Sequence, residues 1–150
     1  MRIILLINIL ATVWLVTASW TNPATGTMDV WVQNLELKKG SIYVAVYKDE
    51  AQFLKEKAFF AGKILKVESL TDCVVPFTDL PFGEYAVAVF HDLNNNQKLD
   101  RNIFGVPTEP YAFSNNPSVK WRSPTFAETK VQLQAAKEKV VIELKRWSNH

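Results

Sequence analysis

The feature that most constrains this chain is the run Glu84-Tyr85-Ala86-Val87-Ala88-Val89-Phe90. It mixes small, β-branched and aromatic residues, and the turn signal Leu80-Pro81-Phe82-Gly83 precedes it. A short apolar run bounded in this way predicts a central strand buried on both faces. Such a strand needs partners, and period-two segments elsewhere supply them. Residues 28–33 and 42–47 alternate, and Lys38-Lys39-Gly40-Ser41 separates them as a turn, so a first hairpin is expected. Residues 63–68 and 72–78 read as two more strands. Residues 130–134 and 139–144 read as a closing hairpin, followed by a short polar tail over 147–150.

Helix signals are few. Asp49 with Gln52 resembles a capping box and predicts one or two helical turns, pinned by Phe53 and Leu54. Ser123-Pro124-Thr125-Phe126 predicts a single turn with Pro124 at its first helical position. About seven strands with little helix define the all-β class and an antiparallel β-sandwich over residues 28–146.

The N-terminus reads as an export signal. Met1-Arg2 is a short basic start, residues 3–16 are apolar apart from Asn8 and Thr12, and Val16-Thr17-Ala18 offers a small-residue cleavage site. Residues 1–18 are therefore expected to be a signal peptide and 19–27 a linker. The alternative is an uncleaved anchor, because the apolar run nearly reaches spanning length. No Cys follows the apolar run, which argues against lipid attachment. An exported chain works in the periplasm or outside the cell, with no stable membrane span once its leader is removed.

Cys73 is the single cysteine, so no disulfide forms within the chain. It shares a strand face with Val75 and Phe77, which reads as a buried, inert thiol. The formal net charge of +2 falls to about +1 when Arg2 is lost with the leader. That balance lacks the basic stripe of a nucleic-acid binder.

The long irregular stretch over 92–128 is where function is expected, since ordered loops of this length are uncommon in compact domains. Oxygens at Asp92, Asn94, Asn96 and Asp100, with the Lys98 carbonyl, match positions 1, 3, 5, 9 and 7 of a calcium loop. Gln97 stands where that loop requires Gly, and Ile103 where it requires a bidentate Glu. Asp and Asn also build metal-free turns by bonding their own backbone. Calcium is thus the one cofactor the sequence admits, beside a metal-free turn.

His91 precedes this loop, and Glu109, Tyr111, Ser114, Asn115 and Asn116 follow. A hydrolase using His91 and nearby carboxylates is one reading, but no nucleophile elbow, zinc-binding helix or phosphate loop accompanies it. His91, Glu109, Tyr111, Phe113, Asn115, Asn116 and Trp121 are the candidate ligand surface. The aromatic residues of this stretch, Phe104, Tyr111, Phe113, Trp121 and Phe126, read first as anchors that hold a long loop to the sandwich.

The segment from Leu80 to Asp92, then Asn94, Asn96, Lys98-Leu99-Asp100, Asn102, Gly105-Val106-Pro107, Glu109 and Tyr111-Ala112-Phe113-Ser114-Asn115-Asn116, resembles the bacterial exported family called domain of unknown function 2141. The resemblance spans residues 28–144 and implies a transthyretin-like or carboxypeptidase-regulatory-like sandwich. It implies no activity and no catalytic residue. Gln97 and Ala112 stand where the family commonly has Gly, so a β-carbon must be tolerated in the turn at 97.

The expectation is an exported, non-enzymatic β-sandwich that serves as a binding or envelope-associated module. Its partner would be an unidentified protein or carbohydrate. A hydrolase and a purely structural domain are the alternatives.

Overall fold

Met28, Val30 and Val32 are fully buried along one face of the first strand, as their alternation requires. In the computed structural model, residues 24–55, 57–68 and 72–149 are described. Their strands are β1 (Thr25–Gln33), β2 (Ser41–Tyr47), β3 (Ala61–Lys66), β4 (Cys73–Pro81), β5 (Gly83–Asp92), β6 (Tyr111–Phe113), β7 (Val131–Leu133) and β8 (Lys137–Glu143). One sheet has the order β4-β1-β8, and the other β3-β2-β5-β6 with β7 paired to the start of β5.

The two sheets close on one core. Val30, Val32, Val75, Phe77, Val140 and Ile142 face Ile42, Val44, Val46, Val87, Val89 and Leu133 across it. Each such side chain contributes about 1.5–3 kcal/mol by leaving water. Cys73 packs at the edge of this core, and burial, then the neighbouring Asp72 charge, push its thiol pKa up. The thiol is therefore a weak nucleophile.

The all-β class holds, but the pairing differs from the expected one. There are eight strands among the described residues, and the sandwich is not wholly antiparallel, because β1 pairs β8 in parallel. The expected first hairpin does not form: β1 and β2 lie in different sheets. The closing hairpin does not form either, since β7 pairs β5 while β8 pairs β1. In both cases alternation identified the strand but not its neighbour. Burial places a side chain on a face, whereas partner choice follows long-range packing.

The short elements shift as well. Residues 49–55 form turns rather than helix, although the Gln52 amide does donate to Asp49 Oδ1 at 2.9 Å. Leu54 adopts a φ of 58°, which helix cannot accommodate. The helix α1 (Phe126–Thr129) is capped by Thr125 in a full capping box with Glu128, so Pro124 lies before the cap and not at the first helical position. The expected linker ends earlier than 27, because β1 already begins at Thr25. The tail is anchored: Trp147 starts a 3₁₀ turn, and its Nε1 donates to the Lys120 carbonyl at 3.1 Å. The expected signal peptide lies outside the described residues.

Candidate functional site

Alternation that buries one set of residues on β2 and β5 must turn the other set outward. On the outer face of the second sheet, Ile64, Tyr43, Phe90 and Tyr111 align across β3, β2, β5 and β6. Tyr43 and Phe90 stack at 4.8 Å between ring centroids. The next row is Gly62, Ala45, Ala88 and Phe113. Three of those four have side chains no larger than a methyl group. Beyond it, Tyr47 and Ala86 pack with Phe126 and Phe53 in a second, smaller cluster. The small row is thus a trough across the strands, flanked by bulky rows on both sides.

Two loops deepen this trough into a groove of about 1060 Å³. One is a tight hairpin over residues 101–107, bridged at Arg101 and Pro107 and braced by Asn102 Oδ1, which accepts from the Phe104 and Val106 amides. The other is the segment 117–124, held by Trp147. Phe104 and Trp121 line the groove yet remain 81% and 84% exposed, and Ile103 at the hairpin tip is 94% exposed. Phe126 does anchor its segment, as expected of the aromatics here. Trp121 packs edge-to-face on Trp147 with ring centroids 5.0 Å apart yet stays largely exposed, and Phe104 is exposed at the groove edge.

The Asn-rich loop lies at the end of β5 and closes on itself. Asp92 is fully buried, and its two oxygens accept from the Asn96 and Gln97 amides at 3.2 and 2.7 Å. Glu109, also buried, accepts from the Leu93 and Asp100 amides at 2.8 and 3.1 Å. Asn94 Nδ2 and Asn96 Nδ2 donate to the two oxygens of Asp100 at 2.7 and 2.8 Å. The Asn94 and Asn96 carbonyl oxygens accept from the Asn96 and Lys98 amides. The expected ligand side chains therefore do come together, as an Asx-rich turn. To receive a cation, Asn94 and Asn96 would have to turn their N–H groups away from Asp100. Among the described residues, no three His, Cys, Asp or Glu side chains group as a metal site.

His91 is fully buried on the inner face of β5. Its Nε2 lies 2.7 Å from the Lys39 carbonyl, so that nitrogen carries the proton, and Nδ1 has no partner. Among the described residues no carboxylate is hydrogen-bonded to the ring, and His91 does not line the groove. Asn115 and Asn116, both at positive φ, tie the turn after β6 to the Lys130 carbonyl and to β8. Of the expected ligand-surface residues, Tyr111, Phe113 and Trp121 line the groove, whereas His91, Glu109, Asn115 and Asn116 hold backbone in place. Ala88 and Phe90 escape the sequence reading because their run reads as buried on both faces, and Tyr43 and Ala45 because alternation on β2 points first to its core side. The signal was the aromatic and small residues at the positions alternating with the core valines.

Two sheets enclosing one core, with an open aromatic groove on one outer face, define an all-β protein of the sandwich class. The chain belongs to the family of uncharacterized proteins conserved in bacteria, DUF2141, whose pattern matches residues 30–141. No curated protein and no solved structure matches it.

Proposed function

We propose that the chain is an exported, non-enzymatic binding module of the bacterial envelope, and that its ligand lies in the trough over Ala45 and Ala88. The observation that carries this reading is the groove itself. It is floored by small residues, walled by Tyr43, Phe90, Tyr111 and Phe113, and edged by exposed Phe104 and Trp121. Exposing that much aromatic surface to water is costly, and such patches mark interaction sites. The two-sheet arrangement also supports reading the fold as transthyretin-like. The apolar floor and the exposed rings support an apolar ligand over a carbohydrate. The buried His91 gives a hydrolase no base that reaches the groove.

The test is a fluorescence titration with N-phenyl-1-naphthylamine, a neutral apolar probe. Saturable, one-to-one enhancement is expected. A response that rises linearly without saturating contradicts the reading.

A further inference from the structure

Five cationic residues, Lys57, Lys63, Arg101, Lys120 and Arg122, line the groove, and among the described residues no Asp or Glu does. Two of the five are already engaged. Arg122 pairs with Glu128 at 2.6 Å, and Lys63 Nζ bonds the Pro76 carbonyl and lies over the Phe77 ring. Among the described residues, Lys57, Arg101 and Lys120 take part in no ion pair. Lys120 lies 4.8 Å from the centre of the Trp147 ring, which itself lines the groove. Arg101 spends one N–H on the Gly105 carbonyl and keeps the rest of its fork.

An apolar trough with unpaired cations in its lining is complementary to a molecule with an apolar body and one anionic head. Resting on the groove reading above, we propose that the ligand is a single-chain anionic amphiphile, such as a fatty acid, with its chain along the Ala45–Ala88 trough and its head at one of the cations that rim the groove, Lys57, Arg101 or Lys120. A headgroup there gains charge-assisted hydrogen bonds, and a cationic head on the same chain meets only like charge.

The test displaces bound N-phenyl-1-naphthylamine from the purified chain at low salt with dodecanoate and with dodecyltrimethylammonium. Dodecanoate is expected to displace the probe at concentrations at least about tenfold lower. In the triple variant Lys57→Gln, Arg101→Gln, Lys120→Gln, that preference should fall to within about twofold. Retained binding of the neutral probe shows that the variant is folded. Equal displacement by the two amphiphiles in the native chain, or a preference unchanged in the triple variant, overturns the proposal while leaving the groove reading intact. Failure of the neutral probe to bind the native chain overturns both. Sedimentation with phosphatidylglycerol but not phosphatidylcholine vesicles, without displacement of the probe by dodecanoate, would overturn the proposal in favour of an anionic membrane surface. Dodecanoate binding without sedimentation would assign the ligand to a soluble amphiphile.

Discussion

Ala45 and Ala88 stand directly opposite each other on β2 and β5, one step along from the stacked Tyr43 and Phe90. Two methyl groups side by side between bulky rows leave a channel that any larger residue would fill. Ala88→Leu should therefore weaken binding of a neutral apolar probe by about tenfold or more, which is about 1.4 kcal/mol. Ala88 packs partly against the Tyr47, Ala86 and Phe126 cluster, so the larger side chain should also cost about 1 kcal/mol of stability. A probe titration beside a thermal melt checks both.

Glu109 staples the two ends of the Asn-rich loop through the Leu93 and Asp100 amides. Each charge-assisted bond contributes about 1.5–3 kcal/mol, and removing the carboxylate leaves two amides without their acceptor. Glu109→Ala should destabilise the fold by about 3 kcal/mol in a urea unfolding experiment. Glu109→Gln, which keeps one acceptor, should cost less.

The same closed loop makes a prediction about metal. The side-chain N–H groups of Asn94 and Asn96 occupy both Asp100 oxygens, so a cation at Asp100 must first displace them. Thermal melts in excess calcium and in chelator should agree within about 1 °C, because only an ion that binds the folded state raises its melting temperature. A rise that Asp92→Ala abolishes would show that the Asn94 and Asn96 amides rotate to admit the ion.

Gln97 holds a φ of 66°, the left-handed conformation that favours glycine. Its amide bonds Asp92 Oδ2 at 2.7 Å, an interaction that glycine would keep. Relief of the β-carbon clash is worth about 1–2 kcal/mol, partly offset by the added freedom of the unfolded chain. Gln97→Gly should raise the melting temperature by a few degrees, roughly the effect of 0.5–1 kcal/mol. Gly40 shows the opposite case. At a φ of +78°, an added Cβ would lie 2.0 Å from the Asp92 carbonyl oxygen. Gly40→Ala should cost about 2 kcal/mol or more by the same melt.

Hydrogen bonds from Arg122, then from the Thr125 amide, hold the Glu128 carboxyl at about 2, well below its ordinary 4.5. A carboxyl depressed in the folded state stabilises it above the unfolded value and loses that contribution as pH falls through the folded one. Melts of the native chain and of Glu128→Gln should therefore differ most above about pH 5 and converge by about pH 2.

Much of the fold was legible because burial writes alternation into sequence. The core faces of β2 and β5, with Val44, Val46, Val87 and Val89, follow from it directly. The parallel β1–β8 pair was not legible, since Thr27 to Gln33 and Lys137 to Glu143 are far apart in sequence and a strand's pattern does not name its neighbour. The Asn-rich loop was found from its spacing, but which oxygens meet amides depends on how the loop curls. The groove was half legible. Tyr111, Phe113 and Trp121 stood out in the long irregular stretch, whereas its floor lies on strands that were read only for their buried side.

The most direct test of the groove is nuclear magnetic resonance of the ¹⁵N-labelled chain titrated with N-phenyl-1-naphthylamine. The account predicts saturable amide shifts at Ala45, Gly62, Ala88, Phe90 and Phe113. Shifts confined to the other sheet, around Trp31, Val74 and Val141, or no saturable shift at all, would contradict it.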